Sequence, residues 1–285
     1  MPATLYIVST PIGNLEDITL RAIRILKEVA AIAAEDTRHT RVLLARYDIR
    51  TPTTSFHEHN EAQKVPALLA RLDRGESLAL VSDAGTPAIS DPGYRLIRAA
   101  LDAGHRVQAV PGPSAVLGAL VSSGFPTDAF TFLGFAPRKP AARREWAARV
   151  AAQPHTTVFF ETPHRIRQTL EALSQELGER PICVARELTK VHESSVIQPI
   201  SALLKDVDRI KGEIVVVVPP LDAHNDQTQV PEDNEINNYF CHVTEFERLS
   251  RRGGITKTAM RFGLTPNTVY AALERAKKQR RPASA

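Results

Sequence analysis

Residues 78–94 have the sequence LALVSDAGTPAISDPGY, and the fold class of the chain follows from this stretch. Leu78–Val81 is a short apolar run typical of a buried strand, and small turn-forming residues follow it at 82–87. Asp91-Pro92 then has the pattern of a helix N-cap with proline at the first helical position. A strand, a loop and a helix in this order predict one unit of an α/β sheet, in which ligands bind beyond the carboxyl ends of the strands. The alternative is a loop that only turns the chain.

Two further strand ends carry loops of the same composition. The apolar run 5–8 continues into STPIGN at 9–14, and the run 107–110 continues into PGPS at 111–114. Parallel strands place their carboxyl ends at one edge of a sheet, so we expect the three loops to form a common pocket. Glycine and proline allow close backbone approach and tight turns, and such a pocket suits a compact ligand held largely by main-chain groups.

A second α/β run follows Gly124-Phe125-Pro126. Its predicted strands lie at 129–133, 156–160, 182–185 and 214–218, with an antiparallel strand at 191–198. Several of these strands lack a following helix, so we expect a mixed sheet. The resulting domain prediction is an N-terminal α/β domain at 1–114, a C-terminal α/β domain with a mixed sheet at 115–220, a polar linker at 221–235 and a small all-α module at 236–285.

The C-terminal module is strongly basic. Residues 246–281 carry a formal charge of +8 and the remainder of the 285-residue chain carries −4. A short helix at 255–262, a turn at Gly263 and a second helix that begins with Thr265-Pro266 predict a helix-turn-helix. A basic surface of this kind indicates a polyanionic partner. The alternatives are a solvated basic tail and a generic helical hairpin.

Composition predicts a globular protein of a reducing cytoplasm. Hydrophobic residues make up 43% of the chain and charged residues 24%, which is ordinary for this class. No apolar run approaches the ~20 residues that span a bilayer, and the N-terminus lacks the pattern of a signal peptide. Cys183 and Cys241 are far apart, so we expect neither a disulfide framework nor a cysteine-based zinc site.

Several kinds of site are excluded by missing motifs. The chain has no G-x-G-x-x-G after its first strand, no G-x-x-x-x-G-K-[ST] and no G-x-S-x-G. His57-x-His59 lacks an evident third ligand, so we expect no metal. What remains is a set of charged residues in loops, where chemistry tends to be placed, although each of them could instead be a cap or an ion-pair partner. These residues are Glu35, Asp36, Asp83, Asp91, Glu161, Glu187, Lys190 and Glu213.

Eight motifs in order along the chain carry a family resemblance. They are LYIVSTPIGN at 5–14, AEDTRHT at 34–40, HEHN at 57–60, VSDAGTPAISDPGY at 81–94, PGPS at 111–114, ETPHR at 161–165, ARELTK at 185–190 and KGE at 211–213. Together they closely resemble the ribosomal RNA small subunit methyltransferase I family, within the tetrapyrrole methylase superfamily. The C-terminal module resembles, more loosely, the helix-turn-helix extension of many members.

The resemblance implies an S-adenosylmethionine-dependent enzyme that methylates the 2′-hydroxyl of a cytidine in the decoding region of 16S ribosomal RNA, either naked or in the small subunit. It also implies the two-domain α/β fold of class III methyltransferases, with the cofactor between the domains, and a homodimer. The cofactor contacts it implies are Pro11, Ile12, Gly13, Ser82, Asp83, Ala84, Gly85, Thr86, Pro111, Gly112, Pro113, Ser114, Ala115, Gly134, Phe135 and Glu161.

Candidate residues can also be named for catalysis and for RNA binding. A ribose hydroxyl is a poor nucleophile until its proton leaves, and a positioned base typically contributes ~10²–10⁴-fold. We therefore expect Asp36, Glu187 or Lys190 to activate or orient that hydroxyl, because each follows a strand end. The residues expected to bind RNA are Arg38, Arg165, Arg251, Arg252, Lys257, Arg275, Lys277 and Lys278.

Two other functions remain open from the sequence. A small-molecule methyltransferase acting on a tetrapyrrole or corrinoid would share the cofactor loops but would not need an arginine-rich module. A non-enzymatic, ligand-sensing body on a DNA-binding helix-turn-helix would bind duplex DNA and transfer no methyl group.

Overall fold

The computed structural model describes residues 3–221, 233–245, 249–262 and 264–279. The chain divides into two compact units, Met1–Leu221 and Asp222–Ala285. The first unit contains two five-stranded sheets, and the described part of the second contains three helices. Most of the predicted linker, residues 222–232, lies outside the described residues.

The first sheet is parallel throughout, with the strand order β3-β2-β4-β1-β5. Helices cover both of its faces. Successive residues of β4 therefore pack into two hydrophobic clusters, one on each face, as the two-residue period of a strand requires. The strands are β1 (Thr4–Val8), β2 (Ala31–Ala34), β3 (Thr53–Ser55), β4 (Leu78–Val81) and β5 (Arg106–Val110). The helices are α1 (Leu20–Glu28), α2 (Thr37–Arg46), α3 (Glu61–Asp73) and α4 (Tyr94–Asp102).

The start of α4 differs from the prediction. The helix begins at Tyr94, so Asp91-Pro92 is part of the preceding loop and not its N-cap and first residue. Gly93 occupies the cap position with φ of 137°, a conformation that L side chains rarely adopt. A Cβ at Gly93 would lie 2.8 Å from Leu80 Cδ2, so packing against β4 sets this boundary.

The second sheet is mixed, as predicted, with the order β6-β7-β10-β8-β9. β6 and β7 are parallel, and the remaining pairs are antiparallel. Its strands are β6 (Phe130–Phe135), β7 (Thr156–Glu161), β8 (Pro181–Arg186), β9 (Ser194–Pro199) and β10 (Ile214–Val218). α5 (Ala115–Ser122) packs on one face, and α6 (Pro140–Ala151), α7 (Ile166–Leu177) and α8 (Ile200–Lys205) pack on the other. The sequence prediction did not include α8.

The second unit is a three-helix module, one helix more than the predicted pair. Its helices are α9 (Asp233–Glu245), α10 (Arg251–Phe262) and α11 (Pro266–Gln279). They share a core that includes Ile236 of α9, Ala259 of α10 and Val269 of α11. Thr265 caps α11, as predicted, because its Oγ1 accepts the Thr268 amide at 3.2 Å. Among the described helices of both units, none is both long and apolar enough to cross a membrane.

Candidate active site

The three glycine- and proline-containing loops meet at the carboxyl edge of the first sheet. The Thr10 amide donates to Gly85 O at 2.8 Å, and the Gly85 amide donates to Thr10 O at 3.0 Å. The Ser9 and Thr86 hydroxyls lie 2.8 Å apart, which joins the β1 loop to the β4 loop a second time. A Cβ at Gly112 would lie 3.0 Å from Ser9 Cβ, so the β5 loop also packs closely against the β1 loop. These contacts confirm that the loops adjoin.

The loop after β2 joins the same edge. The Asp36 amide donates to Asp83 Oδ1 at 2.9 Å, and the Asp83 amide donates to Glu35 Oε2 at 3.4 Å. Acidic side chains are therefore concentrated between the ends of β2 and β4. Desolvation by burial, opposed in part by the Asp83 amide, raises the pKa of Glu35.

A strained loop of the second sheet reaches across to the β1 loop. Glu187 and Thr189 have φ of 51° and 69°, in the left-handed region that side chains disfavour. Such strain persists only where surrounding contacts impose it, and it is common at functional sites. A Cβ at Gly13 would lie 2.5 Å from Lys190 Cγ and 2.8 Å from Thr189 Oγ1. Only glycine at position 13 therefore permits this contact between the two sheets.

Two cavities lie where these loops meet. Cavity A, about 410 Å³, lies between the sheets, and cavity B, about 590 Å³, lies beside the β1 loop and α2. Ile12, Ala84 and Glu213 line both, so the two cavities share a wall. The sequence predicted one pocket, and the structure divides its residues between two adjoining cavities.

The predicted cofactor contacts separate accordingly. Those on cavity A alone are Gly85, Thr86, Ser114, Ala115, Phe135 and Glu161. Those on cavity B alone are Pro11, Gly13, Ser82 and Asp83. Pro111, Gly112, Pro113 and Gly134 line neither cavity. Gly134 nevertheless lies beside cavity A, because a Cβ there would lie 3.4 Å from the Oγ of Ser90, which lines that cavity.

Glu161 forms part of the wall of cavity A from a buried position. Its side chain is 0% exposed and accepts hydrogen bonds from the Thr162 amide at 2.9 Å and from Thr169 Oγ1 at 2.6 Å. Arg165 Nε lies 3.6 Å from the same carboxylate, and the guanidinium also donates to Ala136 O. Arg165 thus links β7 to the end of β6, and most of its side chain is withdrawn from solvent.

Asp36 is a helix cap with an exposed cationic partner. Its Oδ1 accepts the Arg38 amide at 2.8 Å, and its Oδ2 lies 2.7 Å from Arg38 Nη2. The hydrogen bond from the Arg38 side chain, followed by that from its amide, holds the pKa of Asp36 well below its usual range. The carboxylate is therefore a weak proton acceptor. Arg38 is 86% exposed.

Lys190 lines cavity B within a three-residue charge cluster. Its Nζ lies 3.0 Å from Glu187 Oε1 and 3.1 Å from Glu213 Oε2. Burial alone would lower the pKa of Lys190, but the hydrogen bonds to Glu187 and Glu213 outweigh it and raise the pKa. The Glu213 amide, and then Lys190, lower the pKa of Glu187. At neutral pH Lys190 is consequently an ammonium donor, and not a base.

Asp91 lines cavity A with an unusual protonation equilibrium. Burial, followed by repulsion from Glu35, raises the pKa of Asp91 to about 6, and hydrogen bonding from Ser82 opposes the shift. The folded protein therefore binds this proton more tightly than the unfolded chain does. The stability that it contributes is complete below pH ~4 and is lost as the pH rises through about 6.

An Asp91→Asn variant should remove this dependence. Relative to the wild type, we expect the variant to gain unfolding free energy between pH 4 and pH 6.5, by at most about 1–2 kcal/mol after solvent screening. The measurement is urea denaturation of both proteins at a series of pH values. An unchanging difference between the two curves across this interval would contradict the assignment.

The basic side chains of the module are partly paired. Arg251 lies 3.1 Å from Glu274 and stacks over Tyr270, with 5.7 Å from Arg251 Cζ to the ring centre. Arg275 binds both carboxylate oxygens of Asp233, at 2.7 and 2.8 Å. Two more expected RNA contacts, Arg252 and Lys257, are exposed on α10. Lys277 lies 3.7 Å from Glu274 Oε1, and the side chain of Lys278 lies outside the described residues.

Metal-ligating side chains are dispersed in the described part of the chain. No group of three or more histidine, cysteine, aspartate or glutamate residues there could hold an ion. The rings of His57 and His59 lie 6.1 Å apart, edge to face, and His57 Nε2 is 3.0 Å from Asn60 Nδ2. These histidines belong to a hydrogen-bonded loop.

Sequence reasoning missed the contribution of α2. Its residues His39, Thr40 and Val42 line cavity B, and Leu15 lines it from the loop before α1. Thr40 is 4% exposed, and its Oγ1 has no hydrogen-bond partner among the described residues. The AEDTRHT motif at 34–40 could have predicted this contribution, because it runs from the end of a strand directly into the first turns of α2.

Comparisons with known proteins agree with this architecture. Residues 4–204 match the family model described as Tetrapyrrole (Corrin/Porphyrin) Methylases. A relative from Mesorhizobium japonicum, named ribosomal RNA small subunit methyltransferase I, is 50% identical over 227 residues, covering 78% of this chain and 77% of the relative. A relative of the same name from Xylella fastidiosa is 48% identical over 240 residues, covering 82% and 88%.

Solved structures show the same fold at low sequence identity. A cobalt precorrin-4 methyltransferase has a TM-score of 0.61 at 18% identity, over 76% of this chain and 94% of the other. A uroporphyrin-III C-methyltransferase from Thermus thermophilus has a TM-score of 0.56 at 20% identity, over 78% and 97%. The two-sheet α/β fold expected from the sequence is the fold of these enzymes.

Proposed function

Because the chain belongs to the ribosomal RNA small subunit methyltransferase I family, within the tetrapyrrole methylases, we propose that it methylates the RNA of the small ribosomal subunit with S-adenosylmethionine as donor. The finer form of the proposal is methylation of the 2′-hydroxyl of a cytidine in the decoding region of 16S RNA. The observation that carries the proposal is an identity of 50% over more than three quarters of both chains.

The residues of cavity A fit the proposed cofactor. A volume of about 410 Å³ is within the usual range of small-molecule sites, which combine apolar walls with a few fixed polar groups. Ile12, Phe135 and Val215 supply apolar wall, and Thr86 and Ser114 supply hydroxyls. Gly85 has φ of 75°, a conformation that side chains rarely adopt, so glycine suits this turn in the wall of cavity A. When bound, S-adenosylmethionine supplies an electrophilic methyl group on a sulfonium.

The chain's own contribution to the chemistry is mainly orientation. Holding two reacting groups in line can supply roughly 7–11 kcal/mol of barrier reduction. Lys190 lines cavity B, whereas Asp36 and Glu187 line neither of the two cavities. We therefore assign Lys190 the role of donating to the acceptor oxygen while that oxygen bonds the methyl carbon, the carbon–sulfur bond breaks and the hydroxyl proton passes to solvent water. Glu187 fixes the Lys190 ammonium, and Asp36 fixes the first turn of α2.

The two alternative functions predict different products. A tetrapyrrole methyltransferase would methylate a porphyrinogen, and a DNA-binding regulator would transfer no methyl group. Relatives of 46–50% identity carry the ribosomal RNA name, whereas the solved porphyrin enzymes share 17–20% identity. Incubation with labelled S-adenosylmethionine and small ribosomal subunits, naked 16S RNA or uroporphyrinogen separates the three functions. We expect label only in RNA, and label in the porphyrinogen alone would favour the first alternative.

An exposed apolar patch supports the proposed homodimer. Leu117 and Val121 are exposed on α5, and Ile197 of β9 lies on the same face of the second sheet, opposite Cys183. Apolar patches of this kind commonly mark protein interfaces. Sedimentation at a mass of two chains would agree with the proposal.

We also propose that the enzyme acts in the cytoplasm, where its proposed substrate is assembled.

The basic module should contribute phosphate contacts. Each neutralised phosphate steepens the dependence of log K on log salt by about 0.7–0.9. Removing residues 222–285 should therefore weaken binding to small subunits and lower the slope by at least about 2. Binding isotherms from 50 to 300 mM KCl measure it.

An Arg24→Gln variant is the matched control for this truncation. Arg24 forms an exposed ion pair with Glu28 on α1, outside the module, and its replacement should leave the slope unchanged. A truncated protein that keeps the wild-type slope would exclude a phosphate-binding role for the module.

A further inference from the structure

The beginning of α6 carries a concentration of positive charge. Residues 136–149 hold five lysine and arginine residues and a single glutamate, although the chain outside 246–281 is net acidic. Four of these cations lie before the helix or within its first two turns, and the sequence 138–144 contains no acidic residue. We call these four residues the α6 face, and they are Arg138, Lys139, Arg143 and Arg144.

These cations lie at the end of the helix where they are least favourable. A helix N-terminus carries partial positive charge, so acidic side chains stabilise it and basic side chains do not. Lys139 occupies the N-cap position of α6 and Arg165 that of α7, and neither side chain caps its helix. Two helices that pack together thus begin with cations where serine, threonine or aspartate is usual. An arrangement that costs stability in the free protein is expected where an anion binds.

Arg143 supplies a second, independent observation. It is 6% exposed, and its one hydrogen bond among the described residues runs from Nη2 to Gln168 Oε1 of α7, at 2.9 Å. Gln168 is neutral and exposed, so it does not neutralise the buried cation. Arginine is almost never buried without an anionic partner, because a buried charge loses its hydration. A guanidinium has five N–H donors, so most of those of Arg143 remain for an anion that the described chain does not supply.

Arg165 lies at the same seam between α6 and α7. Its guanidinium donates to Ala136 O, just before α6, and its Nε lies 3.6 Å from Glu161. That carboxylate already accepts a hydrogen bond from Thr169 Oγ1 at 2.6 Å. Within ion-pair distance in the described chain, Arg143 and Arg165 together have this one carboxylate. The seam therefore carries a net positive charge.

We propose that the α6 face binds backbone phosphates of the substrate RNA, as a contact surface of the first unit additional to the C-terminal module. This inference rests on the proposed function and adds where the RNA docks on the first unit. Arginine presents a planar fork to phosphate oxygens, and helix N-termini favour phosphate. Burial holds the Arg143 side chain in place, while the other three cations of the face are exposed. Phosphate contacts carry no sequence information, so the face binds RNA of any sequence.

The first test removes the three exposed cations together. A triple variant with Arg138→Gln, Lys139→Gln and Arg144→Gln should lower the slope of log K against log salt for small subunits by about 2, since each phosphate contributes about 0.7–0.9. Binding at about 100 mM KCl should weaken at least tenfold. The loss should appear in KM and not in kcat, because none of the three residues lines either cavity.

Arg149→Gln is the matched control for the triple variant. Arg149 is an exposed arginine of the same helix, but it lies in the last turn, where a cation favours the helix dipole. Its replacement should leave the salt slope and KM unchanged. Thermal melting at low salt gives a second readout. The triple variant should melt no lower than the wild type, because it removes cations from a helix N-terminus, whereas Arg149→Gln should melt slightly lower.

The second test separates phosphate binding by Arg143 from a structural role. Arg143→Met keeps an unbranched apolar stem and removes the buried charge. RNA affinity should fall about tenfold or more, the effect of losing a hydrogen bond to a charged group. The melting temperature of the free protein should stay the same or rise, because the change leaves no partner charge buried and unpaired. A lower melting temperature with wild-type RNA affinity would make Arg143 a structural residue.

The outcomes separate the inference from the function on which it rests. If the triple variant loses RNA affinity and slope but the wild type transfers no methyl group, the proposed function fails and the phosphate-binding face stands. If the wild type transfers methyl groups and both the triple variant and Arg143→Met bind RNA as it does, the function stands and the α6 face is wrong. Saturable binding of inorganic phosphate that is lost in the triple variant, with an unchanged RNA slope, would assign the face to a free anion and overturn the inference.

Discussion

Gly13→Ala should lower methyl transfer by about 100-fold or more, although it adds only one methyl group. The new Cβ would lie 2.5 Å from Lys190 Cγ and 3.0 Å from Leu188 O, so the loop that carries Lys190 must move away from the first sheet. A displacement of ~1 Å in a catalytic arrangement can cost about 10²-fold in rate. The measurement is kcat/KM for transfer to small subunits, together with the melting temperature.

Gly118→Ala is the matched control for this change. Its Cβ would meet the same loop at Leu188 Cδ1, but at an ordinary contact distance of 3.7 Å. It should retain activity and gain up to about 1 kcal/mol of stability, since alanine is the better helix former. Wild-type transfer by Gly13→Ala would show that the approach of Lys190 to the β1 loop is not required.

Lys190→Met should lower kcat by about 10²–10³-fold, the usual effect of removing one donor from a developing oxyanion. Methionine keeps the length of the side chain but removes the ammonium that lies 3.0 Å from Glu187 and 3.1 Å from Glu213. The two carboxylates then face each other without a cation, and the pKa of Glu187 should rise. We expect S-adenosylhomocysteine binding to persist, because Lys190 lines cavity B and not cavity A.

Lys205→Met supplies the comparison for Lys190→Met, since Lys205 is exposed at the end of α8 in the same unit. It should transfer methyl groups at the wild-type rate. Equal rates for the two variants would remove Lys190 from the mechanism. A rate loss in Lys190→Met that vanishes at saturating subunit concentration would assign Lys190 to substrate binding alone.

The convergence of the loops could be predicted because its causes are local. Apolar runs that end in glycine, proline, serine and threonine specify strand ends, and a parallel sheet brings those ends together. The sequence was a poorer guide to which side chains of a helix are buried. The stripe Leu20, Ile23 and Leu26 predicts a buried Leu20, yet Leu20 is 87% exposed while Ala22 and Ile25 pack into the core. At the first position of a helix, the neighbouring turn that would cover the side chain is absent.

Contacts between residues far apart in the sequence determine the structural features that local patterns did not predict. Asp91-Pro92 has a sound capping pattern, but packing of Gly93 on Leu80 delays α4 to Tyr94. The direction of the Glu161 carboxylate depends on Thr169, one helix turn into α7. The separation of one pocket into two depends on Ile12, Ala84 and Glu213, which line both cavities and come from both sheets, and no local pattern encodes their meeting.

α9 was missed for a different reason. The polar composition of 221–234 predicts a linker, and this assignment hid the apolar spacing of Ile236, Phe240 and Val243 immediately beyond it. That spacing is typical of one helix face. The core of the module needs this face, because Ile236 and Phe240 pack against α10 and α11.

The most direct test of the account is nucleoside analysis of RNA from small ribosomal subunits after incubation with the protein and methyl-labelled S-adenosylmethionine. The subunits come from a bacterium that lacks its own copy of this enzyme. We predict label in 2′-O-methylcytidine, at a single site, with the initial rate of labelling lowered about 10²–10³-fold in Lys190→Met and retained in Lys205→Met. Label on a base or on a small molecule, or no label in RNA from any subunit preparation, would contradict it.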